Sequence, residues 1–183
     1  MLFSVLHSDS AAYFDVYLLH DEGLSEADVA EARALLDQRG ALHLIQVDES
    51  GLADAPTSDR YPKAIYYRIF AAKYLPDTLD RVLYLDPDML IINPLRPLWE
   101  TDLNGKTFAA ASHTGLTEMA NDINNMRLDT EHEYFNSGVM LIDLNSARRL
   151  VTAEDVFRCV NEHEKELILP DQDVFNILYG DQT

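Results

Sequence analysis

The sequence is poor in thiols, in positive charge and in long apolar runs. Among 183 residues there is one cysteine, Cys159. No internal disulfide can form and no cysteine metal cluster can be built, so a reducing compartment is expected. Lys and Arg number 14 against 32 Asp and Glu, a formal net charge of −18. Nucleic acids and anionic lipid surfaces are held by clustered Lys and Arg, so the acidity argues against both as partners. The opening run Met1–Leu6 is short, has no basic residue before it, and is followed by His7, Asp9 and Asp15. A signal peptide wants a cationic start and a longer apolar core, so none is expected here. Charge-free apolar stretches such as Met89–Ile92 fall far below a membrane span. A cytoplasmic protein is expected, with any peripheral membrane attachment left to parts outside this sequence. The six histidines, His7, His20, His43, His113, His132 and His163, show no HExxH spacing, and there is no Walker or GxGxxG pattern. No internal repeat or low-complexity tract is present.

What is present is ordinary globular composition, 47% hydrophobic and 25% charged. A chain of this length is expected to be one domain, or most of one, and can bury about 70% of its unfolded surface without staples. Strand-like and helical runs alternate. A helix over residues 1–8 is followed by a strand at Phe14–Leu19. Ser25 starts a helix with acids in its first turn and one apolar face at Val29, Ala32, Leu35 and Leu36. Gly40 is placed to end it, and Leu42–Val47 is the next strand. Residues 48–60 read as a loop. Ala64–Leu75 is apolar nearly all round, a buried helix that Pro76 ends. Val82–Leu85 is a continuous apolar run, expected as a central strand of a parallel sheet. Met89–Ile92, Phe108–Ala111 and Val139–Ile142 are further strands. Residues 113–134 form a long loop with one helix. Helices begin near Thr152 and Pro170, the first burying Val156, Cys159 and Val160, the second Val174, Ile177 and Leu178. The pattern predicts an α/β sheet with helices on both faces.

Four constellations bear on chemistry. In Asp86-Pro87-Asp88, carboxylates two apart on extended backbone point to one side and can grip a hard cation at the carboxyl end of a strand; the plain alternative is a turn. Arg68 lies in an otherwise apolar helix, so it needs a carboxylate or a ligand phosphate. Asn136-Ser137-Gly138 offers small polar groups and close backbone approach, or a simple turn. Asp171-Gln172-Asp173 presents polar groups beside the crevice, or Asp171 is merely a helix N-cap. Tyr66 and Tyr67 can stack on a base, or fill a buried helix. Cys159 reads as core.

Together these elements resemble glycosyltransferase family 8, which groups lipopolysaccharide galactosyltransferases with glycogenin. The resemblance rests on Tyr66-Tyr67-Arg68, Arg81–Leu90 around Asp86-Pro87-Asp88, Pro97-Leu98-Trp99, Tyr134–Ile142 and Pro170–Asn176, in matching order and spacing. It implies the GT-A nucleotide-diphospho-sugar transferase fold: a mixed, mostly parallel sheet with helices on both faces. It implies a retaining transfer of galactose or glucose from a UDP-hexose to a saccharide or glycolipid acceptor. The implied cofactor is Mn²⁺ or Mg²⁺, held by Asp86 and Asp88. Tyr66, Arg68, Asp86, Asn136, Ser137 and Asp171 are the implied donor-binding residues. Asp171 and Gln172 are the implied catalytic residues, Gln172 lying near the anomeric carbon. As an amide it is a poor nucleophile, which favours same-face attack with Gln172 stabilising the sugar cation.

Against the family pattern, the first strand and its uracil-gripping Ala/Ser-Asp-x-x-Tyr segment have no counterpart here. Nor does the HxxGxxKPW segment that supplies a third metal ligand and a lysine. The expectation is a single, incomplete domain over residues 1–183. Two rivals follow. A phosphatase of the HAD type also carries Asp-x-Asp after an apolar strand, but leaves the other three motifs unexplained. A truncated, inactive domain that binds a nucleotide-sugar is the other.

Overall fold

The computed structural model describes residues 1–57, 62–112 and 118–183. Residues 58–60 of the first expected loop and 113–117 of the second, including His113, lie outside the described residues. In chain order the elements are α1 (Leu2–Ser8), β1 (Phe14–His20), α2 (Glu26–Leu36), β2 (Gly40–Gln46), α3 (Ala64–Ile69), α4 (Ala71–Tyr74), β3 (Arg81–Leu85), α5 (Arg96–Trp99), β4 (Phe108–Ser112), α6 (Glu118–Leu128), β5 (Phe135–Asp143), α7 (Leu144–Leu150), α8 (Ala153–Glu162) and α9 (Pro170–Tyr179).

The helix starts follow local chemistry. Ser25 Oγ accepts from Asp28 N–H at 3.2 Å, Asp143 Oδ1 from Ser146 N–H at 2.7 Å, and Thr152 Oγ1 from Asp155 N–H at 3.1 Å. Each satisfies one donor that the first helical turn leaves open. At α9 the cap is Leu169, with Pro170 in the first turn, so Asp171 is not the N-cap that the sequence suggested. Its side chain is thereby released for another partner. Of the expected apolar face of α2, Leu36 is buried while Leu35 is exposed.

Gly40 does not end α2. The chain passes through a 3₁₀ turn at Asp37–Arg39, and Gly40 opens β2 opposite Phe14. Its φ of −177° is plain extended backbone. Glycine is needed for space: a Cβ there would stand 2.4 Å from Phe14 O and 2.6 Å from a Leu36 methyl.

Two sheets form among the described residues. β1 and β2 pair in parallel, and β3 and β4 flank β5, both antiparallel to it. The expected placing of Val82–Leu85 therefore needs correction. β3 is a flanking strand and all five of its residues are only half-buried, whereas β5 is the central strand and carries the buried run Met140-Leu141-Ile142. An apolar run reports burial, and the direction of the partner strand is not written in it. Met89–Ile92 is not a strand. Leu90 and Ile92 are 76% and 77% exposed, on irregular chain that leads into α5.

Ala64–Leu75 is buried as expected but is two short helices. The break falls at Phe70, whose φ of −95° and ψ of 13° interrupt the ladder. The core joins these helices to β5, α7, α8 and α9 through Tyr66, Phe70, Met140, Leu144, Val156 and Phe175. α9 packs on β5, α3 and α8. That packing carries the first turn of α9 to the end of β3.

Candidate active site

Arg68 organises the site. It is carried by α3, whose Tyr66, Tyr67 and Ile69 are buried, and its own side chain is 17% exposed. A guanidinium so placed must be paired. Nε donates to Tyr84 Oη at 2.9 Å, and Nη1 donates to Ser137 Oγ at 2.8 Å. Nη1 also pairs with Asp171 Oδ2 at 2.6 Å, and Nη2 pairs with Asp86 Oδ1. Tyr84 Oη donates in turn to Asp86 Oδ1 at 2.8 Å, and the Tyr84 ring lies 4.9 Å from the guanidinium carbon. Burial pulls the Arg68 pKa down, but Asp171, Tyr84 and Asp86 more than compensate and hold it above its ordinary value. Burial pushes the Tyr84 phenol up, so it stays a neutral donor. One cation thus ties together carboxylates from the end of β3 and the start of α9.

A bulge in β5 brings up the third element. Ala110 pairs with Met140 but Ala111 pairs with Asn136, leaving Ser137, Gly138 and Val139 without a β4 partner. Such irregularities re-aim side chains. Asn136-Ser137-Gly138 is therefore inside a strand, not the turn before one. Asn136 is exposed, and its Oδ1 accepts from Gly138 N–H at 2.7 Å. Gly138 O accepts from Asp86 N–H at 2.9 Å. A Cβ at Gly138 would lie 2.7 Å from Asp86 Oδ2, so only glycine lets that carboxylate rest against the strand.

Gln172, next to Asp171 on α9, is buried. Its Oε1 accepts from Ser137 N–H at 3.2 Å and its Nε2 donates to Tyr134 Oη at 2.9 Å. Asp173 is wholly buried, in a two-pronged pair with Arg127 at 2.8 and 2.9 Å. It also accepts from Tyr134 Oη at 2.6 Å and from the amides of Ile168 and Leu169. Burial alone would raise its pKa, but these donors hold it below the usual carboxylate value.

The structure therefore brings together Arg68, Asp86, Asn136, Ser137, Asp171 and Gln172. It does not bring Tyr66. That residue is fully buried among Phe70 and Phe157, and its hydroxyl donates to Pro56 O at 2.6 Å. An inward-facing position on a core helix has no route to a ligand. Tyr67 likewise turns to Glu49. Ser137 is also fully buried, and its hydroxyl serves Arg68. Tyr84, Tyr134 and Arg127 were missed in the sequence. Tyr84 and Tyr134 lie inside the motifs Arg81–Leu90 and Tyr134–Ile142, which are the available signal; Arg127 lies in none of them.

Asp86-Pro87-Asp88 is a turn, closed by Met89 N–H on Asp86 O at 3.4 Å, and not extended backbone. Asp86 is half-buried and Asp88 exposed. Their hard carboxylate oxygens suit Mg²⁺ or Mn²⁺ in kind, and the glycine cradle keeps Asp86 Oδ2 clear of bulk. Among the described residues no group of three His, Cys, Asp or Glu is arranged to hold a metal. Such an ion would complete its shell with water and phosphate oxygens.

The profile of Glycosyl transferase family 8 matches residues 1–183. The chain belongs to glycosyltransferase family 8. Among similar proteins, General stress protein A of Bacillus subtilis is 34% identical over 144 residues, covering 77% of this chain and 49% of that protein. The lipopolysaccharide 1,2-glucosyltransferase of Escherichia coli K12 is 29% identical over 98% of this chain and 53% of that protein. The chain thus spans about half the length of these relatives. The crystal structure of the galactosyltransferase LgtC in complex with donor and acceptor sugar analogues superimposes with a TM-score of 0.83. It is 30% identical and covers 98% of this chain and 64% of that one. The fold is GT-A, as the resemblance implied. No described helix is long and apolar enough to cross a membrane.

Proposed function

We propose that this chain is catalytic core of a metal-dependent, retaining hexosyltransferase that moves galactose or glucose from a UDP-sugar to a saccharide acceptor. The observation that carries the reading is the convergence of Arg68, Asp86, Asn136, Asp171 and Gln172 on one wall, in a family 8 chain. Relatives named as a lipopolysaccharide glucosyltransferase and a galactosyltransferase support the hexose class. Asp86 and Asp88 would hold the divalent ion, which when bound neutralises charge on the leaving diphosphate. Arg68 fixes Asp86 and Asp171 in their relative positions. Asp171 accepts from a sugar hydroxyl, and the Asn136 amide both donates and accepts beside it. Gln172 Oε1 presents a neutral dipole to the sugar as it gains oxocarbenium character. A neutral amide is a weak nucleophile, which favours attack from the face the diphosphate leaves.

Calorimetry with UDP, with and without Mn²⁺, tests the reading together with UDP release from UDP-galactose and UDP-glucose. Metal-dependent UDP binding with UDP release in the presence of an acceptor saccharide is the expected result. Binding with no turnover of either sugar would favour the inactive nucleotide-sugar-binding domain. No UDP binding at all would overturn both.

A further inference from the structure

We infer that Tyr134, anchored by Asp173, is a positioning residue that fixes which end of the Gln172 carboxamide faces Ser137 and the sugar. The inference rests on the proposed role of Gln172 in hexosyl transfer.

The argument is one of donor counting. Asp173 is ionised, held so by the two prongs of Arg127 and two backbone amides, and an ionised carboxylate only accepts. Tyr134 Oη has a single proton and gives it to Asp173 at 2.6 Å. Toward Gln172 it therefore offers only a lone pair. The group that meets it at 2.9 Å must be the amide NH₂. At the other end Ser137 N–H can only donate, so at 3.2 Å it must meet the carbonyl Oε1. Turning the amide over would set Oε1 against an oxygen lone pair and NH₂ against N–H. Both contacts would be lost, in a buried place where water cannot replace them. The amide thus has one orientation. Ser137 N–H takes one lone pair of Oε1, and a carbonyl oxygen has two. The chain of command runs from Arg127 on α6 through Asp173 and Tyr134 to Gln172.

The test is Tyr134→Phe, which removes the acceptor and keeps the ring. In a ¹H–¹⁵N spectrum the Gln172 side-chain NH₂ pair, assigned by its loss in Gln172→Ala, is expected to be shifted and slow to exchange in the unmodified protein. In Tyr134→Phe it should move to the values of a free glutamine while the backbone peaks hold. Free-glutamine exchange in the unmodified protein overturns the inference, whether or not the variant folds; so does an unmoved pair in a folded variant. In steady-state transfer from UDP-hexose, Tyr134→Phe should lower kcat by about 10- to 100-fold with little change in donor KM. In the Gln172→Ala background it should have no further effect, whereas a merely structural tyrosine would act equally in both. If Gln172→Ala itself keeps full kcat, the assigned role of Gln172 fails and the kinetic half of the inference with it. Full kcat in Tyr134→Phe beside an impaired Gln172→Ala overturns the inference alone.

Discussion

At the scale of single residues, Gly138 and Asp173 show how much one position can carry. The Gly138→Ala methyl would enter the space that Asp86 Oδ2 occupies at 2.7 Å. The nearest atom is the tip of a side chain, so the fold can yield while the carboxylate turns away. We expect Mn²⁺-dependent UDP binding by calorimetry to weaken by about 10- to 100-fold with the melting temperature nearly unchanged. An unaltered affinity would show that Asp86 does not serve the metal. Asp173 makes a pH prediction. Its folded pKa lies below the ordinary 3.8, so its stabilisation is complete above 3.8 and is lost as pH falls through the folded value. Asp173→Asn should cost about 3 kcal/mol at pH 7 by urea unfolding, because it strands Arg127. That gap should shrink below pH 3.8; a constant gap would refute the assignment. Arg68 and Asp86 were visible as candidates in the sequence, one as a charge in an apolar helix, the other at the end of an apolar run. That they bind each other was not, because they stand 18 positions apart with α4 and β3 between them.

Among the elements, local signals were legible and pairings were not. Ser25, Thr152 and Pro170 mark their helices correctly, since capping is a matter of neighbouring residues. The split at Phe70 and the bulge at Ser137–Val139 left no such mark. Gly40 has the residue type of a helix end, yet its purpose is the close approach of β2 to β1. Gly40→Ala would drive a Cβ onto Phe14 O, a backbone atom that cannot rotate aside. We expect a loss of about 1–3 kcal/mol in urea unfolding, larger than for any exposed substitution on α2. A neutral result would mean that the β1–β2 pair can part at little cost.

For the whole molecule the charge of −18 is the dominant property. Self-repulsion of this kind is screened by salt, whose Debye length falls from about 30 Å at 0.01 M to about 8 Å at 0.15 M. The melting temperature should therefore rise by about 2–4 °C over that range of NaCl, equivalent to about 1 kcal/mol for a chain of this size. A fall would show that the ion pairs around Arg68 and Arg127 outweigh the repulsion. The sequence by itself determined the kind of molecule: an acidic α/β chain with a single cysteine, carrying family 8 motifs in order. Those properties are sums or local patterns, so they survive without coordinates. Only the tertiary structure decided which strand is central, that Tyr66 and Ser137 face inward, and that one guanidinium joins Asp86 to Asp171. Each of these depends on contacts between residues distant in the chain, where direction and register are set by packing and not by the residues taken one at a time.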